Sequence, residues 1–417
     1  MITPAFGLTA TERVLPKLAL DFTTASLDSR VTFTRTTGAS NPATYVGSNG
    51  YITAATNNQP RFDYDPVALT CKGLLIEESR ANLFLNSAAP TGTPTNLVQT
   101  TPTATPPDGV SASVNKIAAS AVAGGHYLQN AITVTSGAAY TWSIFVKADG
   151  ITQVSILMAQ NSSPFTNHAN IVYDLSAGTI TSTSSGSGTI TAFGNGWYRL
   201  TATGTTSSTS ELYRLSLLNP GSSFTGDGVS GVLLWGTQWE LGAFATSYIP
   251  TTTTALTRNA DVATMTGTNF SDWFNASEGT FQCKFNMYSV NASNMAFTVD
   301  NGTTANRLWL YARSGNSRTE FVVSDASVGQ ASLLMNGGNP SANVDYNTCV
   351  AYKQNSFAGS RNAGVPVTDT SGTVPSVDRM QLGRRYDSAT QYLSGWLQEL
   401  NYWPQRLTDN EVQAFSK

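Results

Sequence analysis

RFDYDPVALTCKGLLIEESRANLFLNS, residues 61–87, is the stretch around which this chain is organised. It begins with a turn-forming cluster that ends at Pro66, and it continues through two short apolar runs, 73–76 and 83–85. A charged segment, 77–80, separates the two runs, although charged residues make up only 12% of the chain. Because an unpaired buried charge is costly, opposite charges this close to buried strands are expected to pair.

The charged segment has two interpretations. In the first it is a structural joint, in which Arg80 neutralises Glu77 or Glu78 and fixes how the N-terminal region meets the rest of the chain. In the second it holds a catalytic carboxylate pair. Asp63 and Asp65 can likewise share a strand face, but the neighbouring proline favours a turn in which Asp bonds to its own backbone. We predict a structural or docking role for the whole group, which comprises Arg61, Asp63, Asp65, Glu77, Glu78 and Arg80.

The same stretch resembles a segment near the N-terminus of many tailed-bacteriophage virion proteins. In that family an RFDYDP-type turn precedes a GLLIEESRTNLL-type run, and this chain has Ala81 where the family often has Thr. Members of the family are tail, fibre or particle-surface components. The resemblance therefore implies a virion protein that contacts other virion proteins through its N-terminal region, and it implies no particular reaction.

Charge and hydropathy exclude several classes of partner. The 417 residues carry a net charge of −3 without a basic stripe, so nucleic acid is not a predicted partner. The apolar runs are far shorter than the ~18 residues of a membrane-spanning helix, so we predict no membrane insertion. Glu12 and Arg13 interrupt the N-terminal segment, which is therefore not expected to be a signal peptide. We expect assembly in the host cytoplasm and a final place on the virion surface.

Short alternating segments bounded by turn residues predict an all-β fold. We divide the chain into an N-terminal arm and docking region (1–95), a β-sandwich of jelly-roll type (96–256) and a second β-sandwich (257–417). Thr408 and Glu411 form a capping-box pattern, which predicts a short C-terminal helix.

Both predicted sandwiches carry family resemblances. YTWSIFVKA (140–148) and LLWGTQWELGAFATSYIPT (233–251) resemble carbohydrate-binding-module-like domains of phage particles. WLQELNYWPQRLTDNEVQAF (396–415) resembles the end of concanavalin/laminin-G-type lectin domains, which often bind sugars, sometimes with calcium. No Asp-x-Asp-x-Asp loop occurs, so we predict no metal or other cofactor and keep calcium as an open alternative. The candidate oxygen ligands for calcium are Asp300, Asp325, Asp345 and Asp387.

Aromatic rings stack on the apolar faces of sugars, so the aromatic residues in or beside loops of the second sandwich are candidate glycan-binding residues. A place in the core is the alternative for each of them, and for Trp309 it is the favoured one. The candidates are Tyr386, Tyr392, Trp309, Tyr311 and Trp273.

Motifs for catalysis are missing from the sequence. It contains no Gly-x-Ser-x-Gly elbow, no HExxH and no phosphate-binding glycine loop. Its two histidines, His126 and His168, leave few ways to build a Ser-His pair. We therefore predict that the protein is not an enzyme and has no catalytic residues.

The leading hypothesis is a bacteriophage virion structural protein, namely a tail-fibre or receptor-binding component that adheres to host-surface glycans. Such fibres are commonly trimers, so a homo-oligomer is expected. One alternative is a capsid decoration or cement protein with a purely structural role. The other is a polysaccharide depolymerase, which needs two suitably spaced carboxylates.

Overall fold

The fold is described from a computed structural model, which covers residues 15–35, 43–110, 114–290, 293–313 and 318–417. Residues 1–14 of the predicted N-terminal arm lie outside the described residues. In chain order, the first strands are β1 (Leu18–Asp21), β2 (Thr32–Thr34), β3 (Ala43–Val46), β4 (Ile52–Ala55), β5 (Phe62–Tyr64), β6 (Cys71–Ile76), β7 (Arg80–Asn82) and β8 (Thr93–Thr95).

The middle of the chain supplies the next strands. They are β9 (Leu97–Thr100), β10 (Asn115–Ala119), β11 (Ala123–Gly124), β12 (His126–Thr133), β13 (Ala139–Asp149), β14 (Gln153–Gln160), β15 (Asn167–Asp174), β16 (Thr179–Ser185), β17 (Ser187–Ala192), β18 (Trp197–Thr205), β19 (Ser210–Leu218), β20 (Phe224–Thr225) and β21 (Gly231–Leu241).

The last part of the chain contains the remaining strands and two helices. The strands are β22 (Leu256–Arg258), β23 (Val262–Thr266), β24 (Glu278–Met287), β25 (Asn294–Asp300), β26 (Arg307–Arg313), β27 (Arg318–Asp325), β28 (Val328–Met335), β29 (Asp345–Lys353), β30 (Phe357–Arg361), β31 (Val367–Asp369), β32 (Arg379–Leu382) and β33 (Gly395–Trp403). The helices are α1 (Thr268–Ser271) and α2 (Asp409–Phe415), and a 3₁₀ turn spans Phe22–Thr24.

Two six-stranded sheets form the central sandwich. Their strand orders are β17-β18-β13-β21-β10-β9 and β16-β15-β14-β19-β12-β8. Along β14, Val154, Ile156 and Met158 are buried while the residues between them are half-buried, as expected when alternate side chains point to one core. They belong to one hydrophobic cluster with Ile144 and Val146 of the facing sheet. The predicted all-β sandwich architecture is confirmed.

The C-terminal sandwich includes strands from the N-terminal region. One sheet has the order β31-β30-β29-β24-β33-β6-β5, with β1 also paired to β33, and the other has the order β2-β23-β32-β25-β26-β27-β28. Leu20, Phe33 and Leu74 accordingly lie in the same hydrophobic cluster as Phe281 and Phe297. The predicted docking region 1–95 thus supplies β1, β2, β5 and β6 to this sandwich, whereas β8 belongs to the central one. The three-part domain division stays a prediction that has to accommodate these shared strands.

Gly73 allows β6 to approach β33 closely. Its φ of +111° is a conformation that side-chain-bearing residues rarely adopt. A Cβ at this position would overlap the carbonyl oxygen of Leu397 on β33. The glycine at the start of the apolar run 73–76 is therefore required by the strand pairing that joins the N-terminal region to the C-terminal sandwich.

The predicted C-terminal helix and its capping box are confirmed in α2. The Thr408 side chain accepts a hydrogen bond from the Glu411 backbone, and the Glu411 side chain reaches back to the Thr408 backbone. Val412 is buried, and the ring of Phe415 lies 4.7 Å from that of Trp403. Neither this helix nor any other helix of the described residues is long and apolar enough to cross a membrane.

Candidate ligand-binding cleft

Three arginines and two carboxylates are buried together where the two sandwiches meet. Arg35 lies 3.0 Å from Asp261, and Arg61 pairs with both Asp261 and, at 2.7 Å, Glu77. Arg258 approaches Glu77 at 3.4 Å. All five side chains are fully buried, so we refer to them as the buried ion cluster. Removing one member of such a cluster destabilises a protein severely, because its partners are left as unpaired buried charges.

Glu77 connects three separate segments through this cluster. Its carboxylate accepts hydrogen bonds from the Ser247 backbone at 2.8 Å and from the Ser247 and Tyr288 hydroxyls at 2.7 Å each. Burial by itself would raise the pKa of Glu77. The charges of Arg258 and Arg61, together with the Ser247 hydrogen bonds, outweigh burial and hold that pKa well below its ordinary value. Glu77 is therefore ionised, and its hydrogen bonds and ion pairs connect the end of β6 to segments of both sandwiches.

The predicted joint residues lie at this junction, with different partners from those expected for some of them. Arg80 pairs with Glu78 at 2.5 Å, which is one of its two predicted partners, while Glu77 pairs with arginines from elsewhere in the chain. Asp65 lies in the β5–β6 turn, where its carboxylate accepts hydrogen bonds from the backbone of Val67 at 2.9 Å and of Ala68 at 2.8 Å. This is the backbone-bonding turn role that the adjacent proline favours.

Asn82 is a joint residue that the sequence analysis missed. Its buried amide donates to the carbonyl oxygens of Thr237 and Ile249 at 3.2 and 2.8 Å, and its oxygen accepts from the backbone of Phe84 and Trp239 at 3.0 Å each. Thr237 and Trp239 lie on β21, Ile249 follows that strand, and Phe84 is two residues beyond Asn82. Asn82 therefore connects the end of β7 to β21 and to the segment after it. Its place directly before the apolar run 83–85 was the only sequence signal for this role.

A cleft of about 790 Å³ lies beside the buried ion cluster, between the outer face of the central sandwich and the C-terminal sandwich. One side is a row of hydroxyl groups on β17 and β18, in which the side chains of Thr189 and Thr201 lie 2.8 Å apart. Arg199, half-buried on β18, donates to the Ser143 hydroxyl at 3.0 Å. Its Nε is buried and has no hydrogen-bond partner among the described residues. The residues of this wall that line the cleft are Phe145, Ser187, Gly188, Thr189, Ile190, Thr191, Phe193, Arg199, Thr201 and Thr203.

Three aromatic rings form the other wall of the cleft. The ring centroids of Phe244 and Tyr288 lie 5.7 Å apart, and those of Tyr288 and Trp396 lie 5.6 Å apart. A cation covers each end of this aromatic row, with the Arg80 guanidinium 4.6 Å from Phe244 and the Lys72 ammonium 4.7 Å from Trp396. None of the three rings was among the predicted glycan-binding residues. Their proximity results from pairing between segments that are distant in the sequence.

Asp63 is buried behind the aromatic row. It accepts hydrogen bonds from the Val46 backbone at 2.7 Å and from the Trp396 indole at 2.9 Å. Burial raises the pKa of the Asp63 carboxyl, and these hydrogen bonds offset part of that effect. Asp63 therefore orients Trp396 in the cleft wall, which is a structural role of the kind predicted for it.

The predicted glycan-binding aromatics do not lie together in this cleft. Trp273 is 2% exposed and Tyr392 is 4% exposed, and both belong to the core of the C-terminal sandwich, so neither ring offers a face to a sugar. Tyr311 is 8% exposed and donates its hydroxyl proton to Glu320. Trp309 is half-buried beneath the Arg307 guanidinium, and Tyr386 is 42% exposed. A stacking role stays a prediction for these last two residues only.

The four aspartates considered for calcium are separate from one another in their contacts. Asp387 is paired with Arg385, Asp325 accepts from Thr373, and Asp345 accepts from Asn286 and Gln398. Asp300 is buried and accepts from the Gly302 backbone at 2.7 Å. Within the described part of the chain, no group of three or more acidic, histidine or cysteine side chains is placed to hold a metal ion.

Asp300 is expected to make stability depend on pH. Burial raises the pKa of its carboxyl to about 6, above the ordinary value of 3.8. A raised pKa contributes stability that is complete below pH 3.8 and is lost as the pH rises through about 6. Asp300→Asn should therefore flatten the change in melting temperature between pH 4 and 7 relative to the wild type. Identical pH profiles for the two proteins would contradict this assignment.

The fold and the cleft define an all-β protein with two sandwiches and a ligand-sized cleft between them. No protein-family model matches the sequence, and no curated protein matches it either. Solved structures match parts of the chain at low identity. One is the NanB sialidase of Streptococcus pneumoniae, with 17% identity over 37% of this chain and 26% of that one and a TM-score of 0.31.

Two further structural matches have similar scores. The CBM40 domain of the Ruminococcus gnavus IT-sialidase is 15% identical over 34% of this chain and 84% of that one, with a TM-score of 0.29. The SAP-like pentraxin of Limulus polyphemus is 13% identical over 34% of this chain and 70% of that one, with a TM-score of 0.27. The chain spans about a quarter of the length of the first sialidases it matches.

Proposed function

We propose that this protein binds a glycan in the cleft between its two sandwiches and serves as an adhesion component on the surface of a bacteriophage particle. The observation that carries the binding proposal is the composition of the cleft walls. A hydroxyl row with the Arg199 guanidinium faces a row of aromatic rings. In that row Phe244 and Tyr288 are half-buried and Trp396 is 8% exposed, so Phe244 and Tyr288 offer the accessible ring surface. Sugars need both features, since their hydroxyl groups require hydrogen-bond partners and their C–H faces pack on aromatic rings.

The size and the electrostatics of the cleft agree with this proposal. A volume of about 790 Å³ is within the range of small-molecule sites and accommodates a short oligosaccharide. Lys72 and Arg199 line the cleft together with two carboxyl groups. The charge of Glu77 is compensated by the buried ion cluster. Asp63 is buried, with a raised pKa, and bonded to a backbone amide and the Trp396 indole. We therefore propose an uncharged or acidic glycan rather than a cationic one.

The place on a virion is supported by the resemblance of residues 61–87 to phage virion proteins. Several residues of that segment, among them Asp63, Lys72 and Glu77, line the cleft or hold its walls. A tail appendage and a capsid decoration protein differ in copy number and position. Electron cryo-microscopy of the particle separates them, because density at the tail supports adhesion whereas density over the capsid lattice supports decoration.

Arg199→Ala is expected to weaken glycan binding about 10- to 100-fold, because hydrogen bonds from a charged donor contribute about 1.5–3 kcal/mol. Binding is measured by screening bacterial surface glycans on an array and then titrating the best ligand by calorimetry. Arg214→Ala is the matched control. Arg199 covers the Phe145 ring at 5.5 Å, and Arg214 likewise covers the Tyr127 ring at 4.2 Å, but Arg214 lies on β19 of the opposite sheet. Equal losses in the two variants would contradict binding in the cleft.

A further inference from the structure

A serine, a histidine and a glutamate form a chain of hydrogen bonds at the edge of the central sandwich, away from the cleft. Ser207 Oγ lies 2.8 Å from His168 Nε2. His168 Nδ1 lies 2.7 and 2.9 Å from the two carboxylate oxygens of Glu211. Nucleophile, base and orienting carboxylate are connected in this order in serine hydrolases of unrelated folds.

A β-bulge in β15 explains the position of the His168 side chain in this chain of hydrogen bonds. Met158 of β14 is opposite Ala169, whereas Ala159 is opposite Asn167, so His168 is the extra residue of a β-bulge. A bulge redirects a side chain relative to the regular alternation. Gly204 packs against the backbone of His168 so closely that a Cβ there would overlap the His168 carbonyl.

The three side chains differ in burial, and ester hydrolysis requires such a difference between the carboxylate and the nucleophile. Glu211 is fully buried, the His168 side chain is 5% exposed, and Ser207 is exposed on the β18–β19 loop. The carboxylate is therefore protected from water, while the hydroxyl is accessible to a substrate. Burial raises the pKa of the Glu211 carboxyl, and the hydrogen bond from His168 acts in the opposite direction.

Gln160 contributes a fourth polar group beside the hydroxyl. Its carboxamide lies 3.0 Å from Ser207 Oγ and, on its other side, 2.8 Å from the Ser162 hydroxyl. A carboxamide presents an acceptor on one side and two donors on the other. The amino group of Gln160 donates to the Ser162 hydroxyl, so its oxygen faces Ser207 and accepts the Ser207 hydroxyl, which holds that hydroxyl beside His168.

We propose that Ser207, His168 and Glu211 form a second site, which hydrolyses acyl esters. Ser207 Oγ forms a bond to the acyl carbon as its proton passes to His168 Nε2. The ester C–O bond then breaks, and the leaving alcohol takes that proton. Water attacks the acyl-serine, transferring a proton to His168, and Ser207 recovers its proton as the carboxylic acid leaves. One ester and one water yield one alcohol and one acid, and Glu211 acts as a positioning residue for His168.

The exposure of Ser207 indicates the class of substrate. A nucleophile on a surface loop reaches an ester that projects from a large molecule, such as an O-acyl group on a polysaccharide. The prediction of no enzymatic activity relied on the missing catalytic motifs and on the scarcity of histidines. His168 and Ser207 are 39 residues apart in the sequence and meet only through the β14–β15–β19 pairing. This site is separate from the cleft, so the hydrolysis proposal can be correct or wrong independently of the proposed glycan binding.

The test uses the full chain, with p-nitrophenyl acetate as substrate and a fluorophosphonate probe followed by peptide mass spectrometry. Ser207→Ala should reduce p-nitrophenol release at least about 100-fold, the scale of general base and nucleophile losses. Ser208→Ala is the matched control, because the Ser208 hydroxyl donates to the Ser210 carbonyl instead of contacting His168. The control should retain wild-type hydrolysis, and the probe should label Ser207.

A positioning role for Glu211 has its own readout. Glu211→Gln should displace the pH–rate profile of ester hydrolysis, which a purely structural role would not do, and its folding is checked by thermal unfolding. The proposal is overturned if folded wild type hydrolyses the ester no faster than Ser207→Ala. It is equally overturned if the probe labels Ser207 and Ser208 alike.

Discussion

Glu77→Gln is expected to lower the free energy of unfolding by about 3–5 kcal/mol, the cost of removing one partner from a buried ion pair. Glutamine fills nearly the same volume, so the loss is electrostatic. Arg61 would retain Asp261, but Arg258 would lose its charged partner in the cluster. Urea unfolding followed by tryptophan fluorescence measures the change, since several tryptophans are buried in both sandwiches.

The matched control is Glu278→Gln. Glu278 also pairs with a cation, Lys353 at 3.4 Å, but both side chains are partly exposed, at 30% and 53%. Exposed pairs contribute about 0–1 kcal/mol, so the control should unfold close to the wild type. A loss below about 1 kcal/mol for Glu77→Gln would contradict the role of the ion cluster as the joint.

The same residue also predicts the response of the protein to acid. The pKa of Glu77 is lowered by folding, so its contribution to stability is present above the ordinary value of 4.5 and is lost as the pH falls below it. Acid should therefore loosen the joint between the sandwiches. Glu77→Gln, which cannot titrate, should show a weaker dependence of stability on pH below 4.5.

A fragment comprising residues 257–417 is expected not to fold, although it was predicted to be a domain. It lacks β1, β2, β5 and β6, and with them buried core side chains such as Leu20, Phe33, Leu74 and Ile76. Each large apolar side chain contributes about 1.5–3 kcal/mol when buried. The combined loss is comparable to the 5–15 kcal/mol that typically stabilises a whole domain.

The matched control for this experiment is the fragment 80–258. It contains every strand of both six-stranded sheets and keeps the β7–β22 pair. We expect a cooperative thermal transition by circular dichroism for this fragment and none for 257–417. If 257–417 melts cooperatively at the temperature of the full chain, the N-terminal strands are dispensable to the sandwich and the boundary at 256/257 is a true domain limit.

The aromatic residues show where sequence reasoning reached its limit. Tyr386 could be named as an exposed candidate because its position in a loop is a local property, whereas for Trp309 the alternation favoured the core and the structure leaves it half-buried. The row formed by Phe244, Tyr288 and Trp396 could not, since its members come from three segments of the chain. Alternation shows on which face of a sheet a side chain lies, but it does not show which other segment of the chain covers that face.

The sequence by itself determined the local structure of this protein. Strand alternation and turn residues defined the all-β class, the capping box defined helix α2, and the proline beside Asp65 defined its turn. Each of these rests on interactions within a few residues of the chain. The tertiary structure alone decided which charges and hydroxyl groups meet. Arg35 and Asp261 are 226 residues apart, and Asp63 and Trp396 are 333 apart. They meet because β2 pairs with β23 and because β6, the neighbour of β5, pairs with β33.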